Sequence, residues 1–343
     1  MSIQPIKFRP ILKFTPWGGK RLIEYKKLDK TLNNIGECWE LSGINGSESV
    51  VAGGIYDGYT LTRLINELKS RLLGSKVYEA FGNHFPLLIK YIDAKDDLSI
   101  QVHPDDVQAR KAGYDNGKSE MWYIVDAGPH SSILYGLQQD ATPEEFIEKA
   151  KSGTVCEMIY KHHVAAGDCY YIPAGQVHAI CADTFLIEIQ QSSDVTYRIF
   201  DYNRPGLDGK PRELHTELAA KAIDYAVYTD YKTEHRDDID VANMLLNTPY
   251  FSVKVIEATS SFHRNMVKYD SFIIIMNMRG DCHIRIRSTQ DSILLPEGCS
   301  CLIPAAIADY DLIPTGSTTK VLEAFINNKK TIGKIVSDFL HFS

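Results

Sequence analysis

The feature that most constrains the fold is a strict alternation of apolar and polar side chains over residues 98–103. Successive side chains of a β-strand point to opposite faces, so this pattern predicts a strand with one polar face. Ser99, Gln101 and His103 share that face. Because Gln101 and His103 are two residues apart, they lie roughly 6.5–7 Å from each other, close enough to reach one ion.

Two later segments place further polar side chains in strand-like surroundings. Glu120 precedes an aromatic and β-branched run that predicts another strand. The Pro-x-Gly sequence at residues 173–175 favours a tight turn, which would place His178 at the start of the following strand. These donors offer nitrogen and oxygen but no thiolate, a set that suits zinc or another borderline divalent ion. The candidate ligands are Gln101, His103, Glu120 and His178.

Strand-like patterns cover most of the chain, with three short helical segments between them. Residues 60–75 have the apolar spacing of a helix, with Gly74 as its stop. Thr142 opens a second helix with a capping pattern, and that helix is expected to end at Gly153. Residues 216–226 predict a third helix. We therefore predict a mainly β chain.

A second turn of the same kind lies in the C-terminal third of the chain. Residues 298–304 repeat the Gly-x5-Pro spacing of residues 167–173, but no histidine follows at the position that corresponds to His178. A charged, irregular stretch separates the two strand-rich regions and is a candidate domain junction. We predict two domains, residues 1–240 with the metal and residues 241–343 without one.

Composition and charge exclude several classes of partner. The 343 residues have a formal net charge of −7 and no basic stripe, which argues against nucleic acid as the main partner. The seven cysteines form no Cys-x-x-Cys pair, and no secretory signal is recognised. Both observations favour reduced thiols and a cytoplasmic location. No run of 18 apolar residues occurs, so we expect no membrane partner.

The ordered donor set resembles the two conserved motifs of the cupin barrel. The chain as a whole resembles type I mannose-6-phosphate isomerase in its short bacterial form, with motifs from about Trp17 to Arg204 and a weaker likeness over most of the rest. The resemblance implies a mainly β fold of two cupin-type (jelly-roll) β-barrels with a few peripheral α-helices, the second barrel being degenerate. The segments that carry it are Phe85–Lys90, Gln101–His103, Lys118–Tyr123, Pro173–His178 and Glu188–Arg198.

The resemblance implies an aldose–ketose isomerase that interconverts D-mannose 6-phosphate and D-fructose 6-phosphate. The reaction would be a zinc-assisted proton transfer between C1 and C2 through a cis-enediol(ate), with one Zn²⁺ per chain on the four candidate ligands. Arg198 matches the family's active-site arginine and would stabilise negative charge on the enediolate. Glu188, on the polar face of a predicted strand, is the candidate base, and Lys118 is a candidate donor to a sugar oxygen. Candidate substrate contacts are Lys90, Ser99 and Glu40.

Other interpretations of the same residues stay open at this point. Arg198 is also consistent with a structural ion pair to Asp194 or Asp201, and Glu188 with a hydrogen bond that orients a ligand histidine. Two further side chains are consistent with plain solvated surface positions: Lys90 and Lys118.

Two other functions are consistent with a cupin barrel. One is a non-catalytic sensor of sugar phosphates, and the other is an oxygenase with iron and open positions for O₂. No helix-turn-helix pattern accompanies the barrels, which counts against a regulator. The ligand set is compatible with zinc, cobalt or manganese. We expect a small-molecule sugar phosphate as the partner, and a monomer or homodimer.

Overall fold

Antiparallel β-strands dominate the structure, a computed structural model that describes residues 3–327. None of the helices in this range is long and apolar enough to span a membrane. The prediction of a mainly β chain with few helices is confirmed. Residues 1–2 and 328–343, including the end of the predicted C-terminal domain, lie outside the described residues.

The chain divides into two compact units, neither of which is one continuous segment. The first unit consists of Pro10–Ile44 and Leu87–Thr233. The second unit consists of the described residues within Met1–Arg9, Asn45–Pro86 and Glu234–Ser343. The predicted functional domains, residues 1–240 and 241–343, follow other boundaries and stay a prediction.

The first unit contains two antiparallel sheets. Its strands are β1 (Ile11–Gly19), β2 (Ile35–Leu41), β3 (Leu87–Ala94), β4 (Ile100–Val102), β5 (Glu120–Ala127), β6 (Ser132–Leu137), β7 (Ile159–His163), β8 (Cys169–Ile172), β9 (His178–Ile180), β10 (Thr184–Gln191) and β11 (Tyr197–Phe200). One sheet has the order β1-β2-β3-β10-β5-β8, and the other has the order β11-β4-β9-β6-β7. A core cluster joins Trp122 and Leu186 of the first sheet to Ile133 and Ile180 of the second.

The second unit also contains two antiparallel sheets. Its strands are β12 (Ala242–Asn247), β13 (Ser252–Ala258), β14 (Phe262–Asn265), β15 (Ile273–Arg279), β16 (Cys282–Ile286), β17 (Ser292–Leu295), β18 (Ser300–Ile303), β19 (Asp309–Pro314) and β20 (Thr319–Phe325). The sheets have the orders β12-β13-β20-β15-β18 and β14-β19-β16-β17.

The α-helices are short and lie between the strands. They are α1 (Arg21–Tyr25), α2 (Leu61–Leu68), α3 (Ser70–Leu73), α4 (Ser75–Phe81), α5 (Asp106–Lys111), α6 (Pro143–Ser152) and α7 (Thr216–Ala222). The prediction for α6 is confirmed, since Thr142 and Glu145 form a capping box and Gly153 ends the helix in the left-handed conformation. Helix α7 ends earlier than predicted, because Ile223 is extended and the Asp224 N–H donates to Gly175 O instead.

The prediction of one helix over residues 60–75 is wrong. Positive φ angles at Lys69 (51°) and Gly74 (94°) divide this stretch into α2, α3 and the start of α4. At Gly74 the cause is tertiary packing: a Cβ there would lie 1.9 Å from Asp270 O, and the N–H of Phe272 donates to Leu73 O. Packing within the second unit therefore overrides the apolar periodicity.

The strand register of the first unit brings the candidate site residues together. Strand β10 lies between β3 and β5, so that Glu188 is opposite both Lys90 and Trp122. In the other sheet Gln101 of β4 is opposite His178 at the start of β9 and opposite Arg198 of β11. The Pro-x-Gly turn thus delivers His178 to a strand start, as predicted.

Candidate metal centre and cavity

Three buried side chains in the first unit converge as a candidate metal site. One ligand atom each from His103, Glu120 and His178 lies within 4.8 Å of the others. His103 Nε2 is 3.4 Å from Glu120 Oε2, and His178 Nε2 is 3.3 Å from Glu120 Oε1. Two imidazole nitrogens facing one carboxylate form a donor set that suits a borderline divalent cation.

Both histidine rings are oriented by backbone carbonyls on their far side. His103 Nδ1 is 2.8 Å from Val195 O, and His178 Nδ1 is 2.8 Å from Gln176 O. A carbonyl only accepts, so each Nδ1 carries the proton and each Nε2 presents its lone pair to the site. This arrangement is the one found for metal-binding histidines, whose outer nitrogen is fixed by a hydrogen bond.

The carboxylate of Glu120 provides the test of whether a cation fits. It is fully buried, and within residues 3–327 neither of its oxygens has a hydrogen-bond partner of good geometry. Lys118 Nζ makes an ion pair 2.7 Å from Oε2. Burial opposes ionisation, but the charge of Lys118 and the facing histidines hold the pKa of Glu120 well below its usual value. A buried anion whose oxygens lack hydrogen bonds, and which faces two neutral imidazole nitrogens, fits a divalent ion.

The pKa values of the two histidines keep them neutral and able to act as ligands. Burial, with the nearby Lys118 charge, lowers the pKa of His103 to about 3. Burial also lowers the pKa of His178. A metal would therefore meet imidazoles that need not lose a proton at neutral pH.

Gln101 lies beside this group. Its amide nitrogen is 3.3 Å from His178 Nε2. Amide nitrogen and oxygen are assigned from the hydrogen-bond network, and a 180° rotation of the amide would place the oxygen there instead. The structure thus brings the fourth predicted ligand into reach of the histidine–carboxylate group.

A cavity in the first unit borders the candidate metal site. Gln101 and Lys118 join the metal group to this cavity, which is otherwise lined by charged, polar and indole side chains and by the aliphatic Ile92, Leu98 and Ile180. The remaining polar and aromatic lining residues are Trp17, Glu37, Trp39, Lys90, Ser99, Glu188, Asp194, Thr196, Arg198 and Arg212. The full lining includes five of the predicted catalytic and substrate residues: Arg198, Glu188, Lys118, Lys90 and Ser99.

Glu188 is held by two donors on the neighbouring strands. Its Oε1 accepts from Lys90 Nζ at 2.8 Å, and its Oε2 accepts from Trp122 Nε1 at 2.9 Å. Burial and the nearby Glu120 charge oppose its ionisation, but Lys90 and Lys118 lower the pKa of Glu188 overall. Glu188 is therefore a fixed carboxylate anion. It does not orient a ligand histidine, because backbone carbonyls orient both rings.

The two lysines are buried and paired rather than solvated. Lys90 also lies 3.6 Å from Glu37, and although burial favours its neutral form, Glu188 and Glu37 raise the pKa of Lys90. Lys118 Nζ is 3.0 Å from His103 Nε2 and 3.8 Å from Glu188 Oε1, so this ammonium connects the metal group to the carboxylate.

Arg198 lines the cavity beside Ser99. Its Nε donates to Ser99 Oγ at 3.3 Å and its NH1 donates to Glu213 O at 3.0 Å. Asp201 is held instead by Arg204 and Arg212. The hydrogen bonds of Arg198 therefore do not support a structural ion pair with Asp201.

The structure does not bring Glu40 into the cavity. Its carboxylate is buried against Lys26, with Nζ and Oε1 2.7 Å apart, and Cys38 Sγ lies 3.1 Å away. The neighbours of opposite parity on β2, Glu37 and Trp39, line the cavity. Sequence reasoning missed Glu37, Trp39 and Arg212, although alternation along β2 already separates Glu37 from Glu40.

The fold and the site together define a β-barrel protein of the cupin type with a candidate histidine–carboxylate metal centre. The family model for type I phosphomannose isomerase, catalytic domain, matches residues 7–135. The chain is 33% identical over 315 residues to mannose-6-phosphate isomerase ManA of Bacillus subtilis, covering 91% of this chain and 96% of that protein. The chain belongs to the type I mannose-6-phosphate isomerase family of enzymes.

Solved structures agree with this assignment. The crystal structure of the mannose 6-phosphate isomerase from Bacillus subtilis matches with a TM-score of 0.83 and 30% identity, covering 94% of this chain and 99% of that one. A structure of phosphomannose isomerase from Salmonella typhimurium matches with a TM-score of 0.78 and 15% identity, covering 95% of this chain and 100% of that one. At this level of identity the likeness is evidence for the fold alone. The predicted cupin-type architecture and the family resemblance are both confirmed.

Proposed function

We propose that the chain interconverts D-mannose 6-phosphate and D-fructose 6-phosphate with one Zn²⁺ bound by His103, Glu120, His178 and Gln101. The observation that carries the proposal is a cavity that borders both the buried His103–Glu120–His178 group, whose carboxylate oxygens lack hydrogen bonds, and a fixed second carboxylate, Glu188. Membership of the family supports isomerisation as the reaction class.

Glu188 is the proposed base for the transfer of a proton between C1 and C2. It is ionised, and Lys90 and Trp122 fix the direction of its two oxygens. A carboxylate held in one orientation can remove a proton from one carbon and return it to the next, through a cis-enediol(ate). A bound divalent ion would polarise the carbonyl and hydroxyl oxygens of the open-chain sugar and orient them.

Cations around the cavity have complementary proposed roles. Lys118, beside both carboxylates, donates a hydrogen bond to a sugar oxygen. Arg198 stabilises the negative charge that develops on the enediolate, since a guanidinium stays charged at working pH. Ser99 and Lys90 contact the sugar. Glu37 takes the place of Glu40 as the acidic contact, because Glu37 is the residue that lines the cavity.

A direct assay tests this proposal. Zinc-loaded protein is incubated with mannose 6-phosphate, and fructose 6-phosphate is followed by ¹H NMR beside a chelated sample and beside glucose 6-phosphate as substrate. We expect conversion of mannose 6-phosphate that is lost on chelation and restored by zinc. Binding of mannose 6-phosphate without turnover in metal-loaded protein would contradict the proposal and favour the non-catalytic sensor. Oxygen uptake with iron would instead indicate an oxygenase.

The remaining sequence-based expectations stay predictions alongside this proposal. They are the identity of the native metal among zinc, cobalt and manganese, a cytoplasmic location, and a monomeric or homodimeric state.

A further inference from the structure

Gln191 is a buried side chain to which the proposed chemistry gives no role. It lies at the end of β10, one residue beyond the pairing of Gln190 with Glu120, and is 7% exposed. A buried amide needs a partner for its nitrogen and another for its oxygen, because an unpaired buried polar group is costly. The partners of Gln191 lie in the two chain segments that carry the candidate ligands Glu120 and His103.

Gln191 holds both backbone groups of Ser119, the residue before Glu120. The side-chain Oε1 of Gln191 accepts from the Ser119 N–H at 2.9 Å, and the N–H of Gln191 donates to Ser119 O at 3.1 Å. The peptide groups on both sides of Ser119 are planar, so these two hydrogen bonds fix the direction of the chain there. Because the second peptide group leads into Glu120, it sets the position from which the buried carboxylate extends.

The amide nitrogen of Gln191 contacts the segment that carries His103. Its Nε2 donates to Asp106 Oδ1 at 2.9 Å, and the same oxygen accepts from the Gly117 N–H at 2.9 Å. Asp106 is the first residue of α5 and lies three residues after His103. The side-chain pair of Gln191 and Asp106 therefore connects the segment of His103 to the segment of Glu120.

The backbones of these two segments are in direct contact beside the pair. The N–H of Lys118 donates to Pro104 O at 3.1 Å. A Cβ at Gly117 would lie 2.5 Å from the backbone carbonyl carbon of Asp105, so the approach requires glycine. Since each segment carries one candidate ligand, the separation of the two ligands depends on how the segments are held together.

We propose that Gln191, held by Asp106, is a positioning residue for the candidate metal centre. It fixes the separation of His103 and Glu120 and so raises the affinity for the divalent ion. This inference rests on the metal site of the proposed function, but not on the isomerisation. Polar groups behind metal ligands orient those ligands, and their loss typically lowers metal affinity about 10- to 100-fold. Gln191 does not line the cavity, so it acts through the ligands rather than on the substrate.

The zinc affinity of the full chain, measured by competition with a chromophoric chelator, tests the proposal without turnover. The variant Gln191→Met keeps the length of the side chain but removes its hydrogen bonds to Ser119 and Asp106. We expect its zinc dissociation constant to rise about 10- to 100-fold. Loss of stability alone does not change this constant in protein that circular dichroism shows to be fully folded in chelator. Wild-type zinc affinity in folded Gln191→Met would overturn the proposal.

The matched control is Gln138→Met in the same unit. The amide of Gln138 donates to Ile159 O at 2.7 Å, and Gln138 belongs neither to the metal group nor to the cavity lining. We expect its zinc dissociation constant to stay within about threefold of wild type. Equal rises in this variant and in Gln191→Met would also overturn the proposal.

An exchange of donor and acceptor tests the pair itself. The variant Gln191→Glu brings two carboxylates together and should weaken zinc binding at least as much as Gln191→Met. The added change Asp106→Asn restores an amide–carboxylate pair with the donor on the other side, so the double variant should return to within about threefold of wild type. A folded double variant that binds zinc no more tightly than Gln191→Glu would contradict the role of the pair.

The same measurements separate this inference from the proposed function. If wild type binds one zinc but fails to isomerise mannose 6-phosphate, and Gln191→Met binds zinc more weakly, the positioning role stands and the reaction does not. If wild type isomerises mannose 6-phosphate but the two proteins bind zinc equally, the reaction stands and the positioning role is rejected.

Discussion

At the scale of single residues, the proposed chemistry depends most on Glu188. Its two oxygens are engaged by Lys90 and Trp122, and neither of these is a candidate metal ligand. Its position is therefore fixed by the sheet rather than by the metal. Loss of its charge should affect proton transfer while leaving the metal group in place.

The variant Glu188→Gln tests this separation. Glutamine keeps the shape of the side chain but cannot take up a proton as a base, so we expect kcat to fall by at least about 100-fold. Metal content, measured by atomic emission, should stay at one ion per chain. The matched control is Glu323→Gln at the corresponding strand position of the second unit, which should retain wild-type kcat in folded protein. An active Glu188→Gln would rule out Glu188 as the base.

The sequence could predict which face of a strand carries chemistry but not which strands meet. Alternation alone predicted that Glu188 lies on one face of its strand and that Phe185, Ile187 and Ile189 lie on the other face. The structure agrees, because these residues form one continuous strand, β10. The ion pair of Glu188 with Lys90 forms because β10 pairs with β3, although the two residues are 98 positions apart in the chain. No local pattern encodes that register, and so the ion pair was not foreseen.

His162 gives a pH dependence outside the candidate metal site. It packs against the rings of Tyr160 and Tyr231, and burial lowers its pKa despite a hydrogen bond to Tyr135 O. The unfolded chain therefore binds the proton more readily than the native state. The resulting stability is present above pH 6.5 and is lost as the pH falls below that value.

We expect the urea midpoint of wild type to decrease more between pH 8 and pH 5 than that of His162→Gln. Glutamine keeps a donor for Tyr135 O but does not titrate, so all other titrating groups are shared by the two proteins. Parallel decreases in both proteins would show that His162 has an ordinary pKa.

At the scale of elements, local sequence patterns predicted the two ends of α6 correctly. They did not predict that residues 60–75 are divided among α2, α3 and α4. The capping box at Thr142 and the left-handed Gly153 are short-range signals that act within one helix. The break at Gly74 instead lies against residues 270–272, about 200 positions away. Apolar periodicity cannot report such distant contacts.

The N-cap of α6 can be tested directly. The variant Thr142→Ala removes the acceptor for the Glu145 N–H and should lower the free energy of unfolding by about 1 kcal/mol. The control Thr62→Ala changes the same residue type inside α2, where alanine favours the helix, and should be neutral or slightly stabilising. Urea denaturation followed by circular dichroism compares the two. Equal destabilisation by both variants would contradict the capping role.

At the scale of the whole molecule, the two units repeat one strand register. Glu188 of β10 is opposite Lys90 of β3, and Glu323 of β20 is opposite Lys254 of β13. The candidate ligand Glu120 lies opposite Gln190, two residues after Glu188 on β10. The corresponding residue of the second unit is the apolar Ile273, which lies opposite Phe325, two residues after Glu323 on β20. The second unit thus keeps the carboxylate of the central strand without the carboxylate of the metal site.

An arginine satisfies this second carboxylate. Arg264 Nε donates to Glu323 Oε1 at 3.0 Å and its NH2 donates to Oε2 at 2.5 Å, while Tyr310 donates its hydroxyl to the same group. Glu323 is fully buried. We therefore expect the metal stoichiometry of the chain to be set by the first unit alone.

The variant Glu323→Gln tests this division between the units. It leaves the Arg264 charge buried without its partner and should destabilise the second unit by about 3–5 kcal/mol, measured by urea denaturation. Zinc content should remain one ion per chain, whereas Glu120→Gln should lose the metal. Loss of zinc in Glu323→Gln at a temperature where it is folded would contradict the assignment.

The central claim is that this cavity moves a proton between two carbons of a sugar phosphate with the help of a bound divalent ion. The most direct test is an NMR time course of mannose 6-phosphate in D₂O with zinc-loaded protein, beside a chelated control. We predict zinc-dependent formation of fructose 6-phosphate, with deuterium entering at C1 or C2. Absence of conversion in protein shown to contain one zinc per chain would contradict the claim.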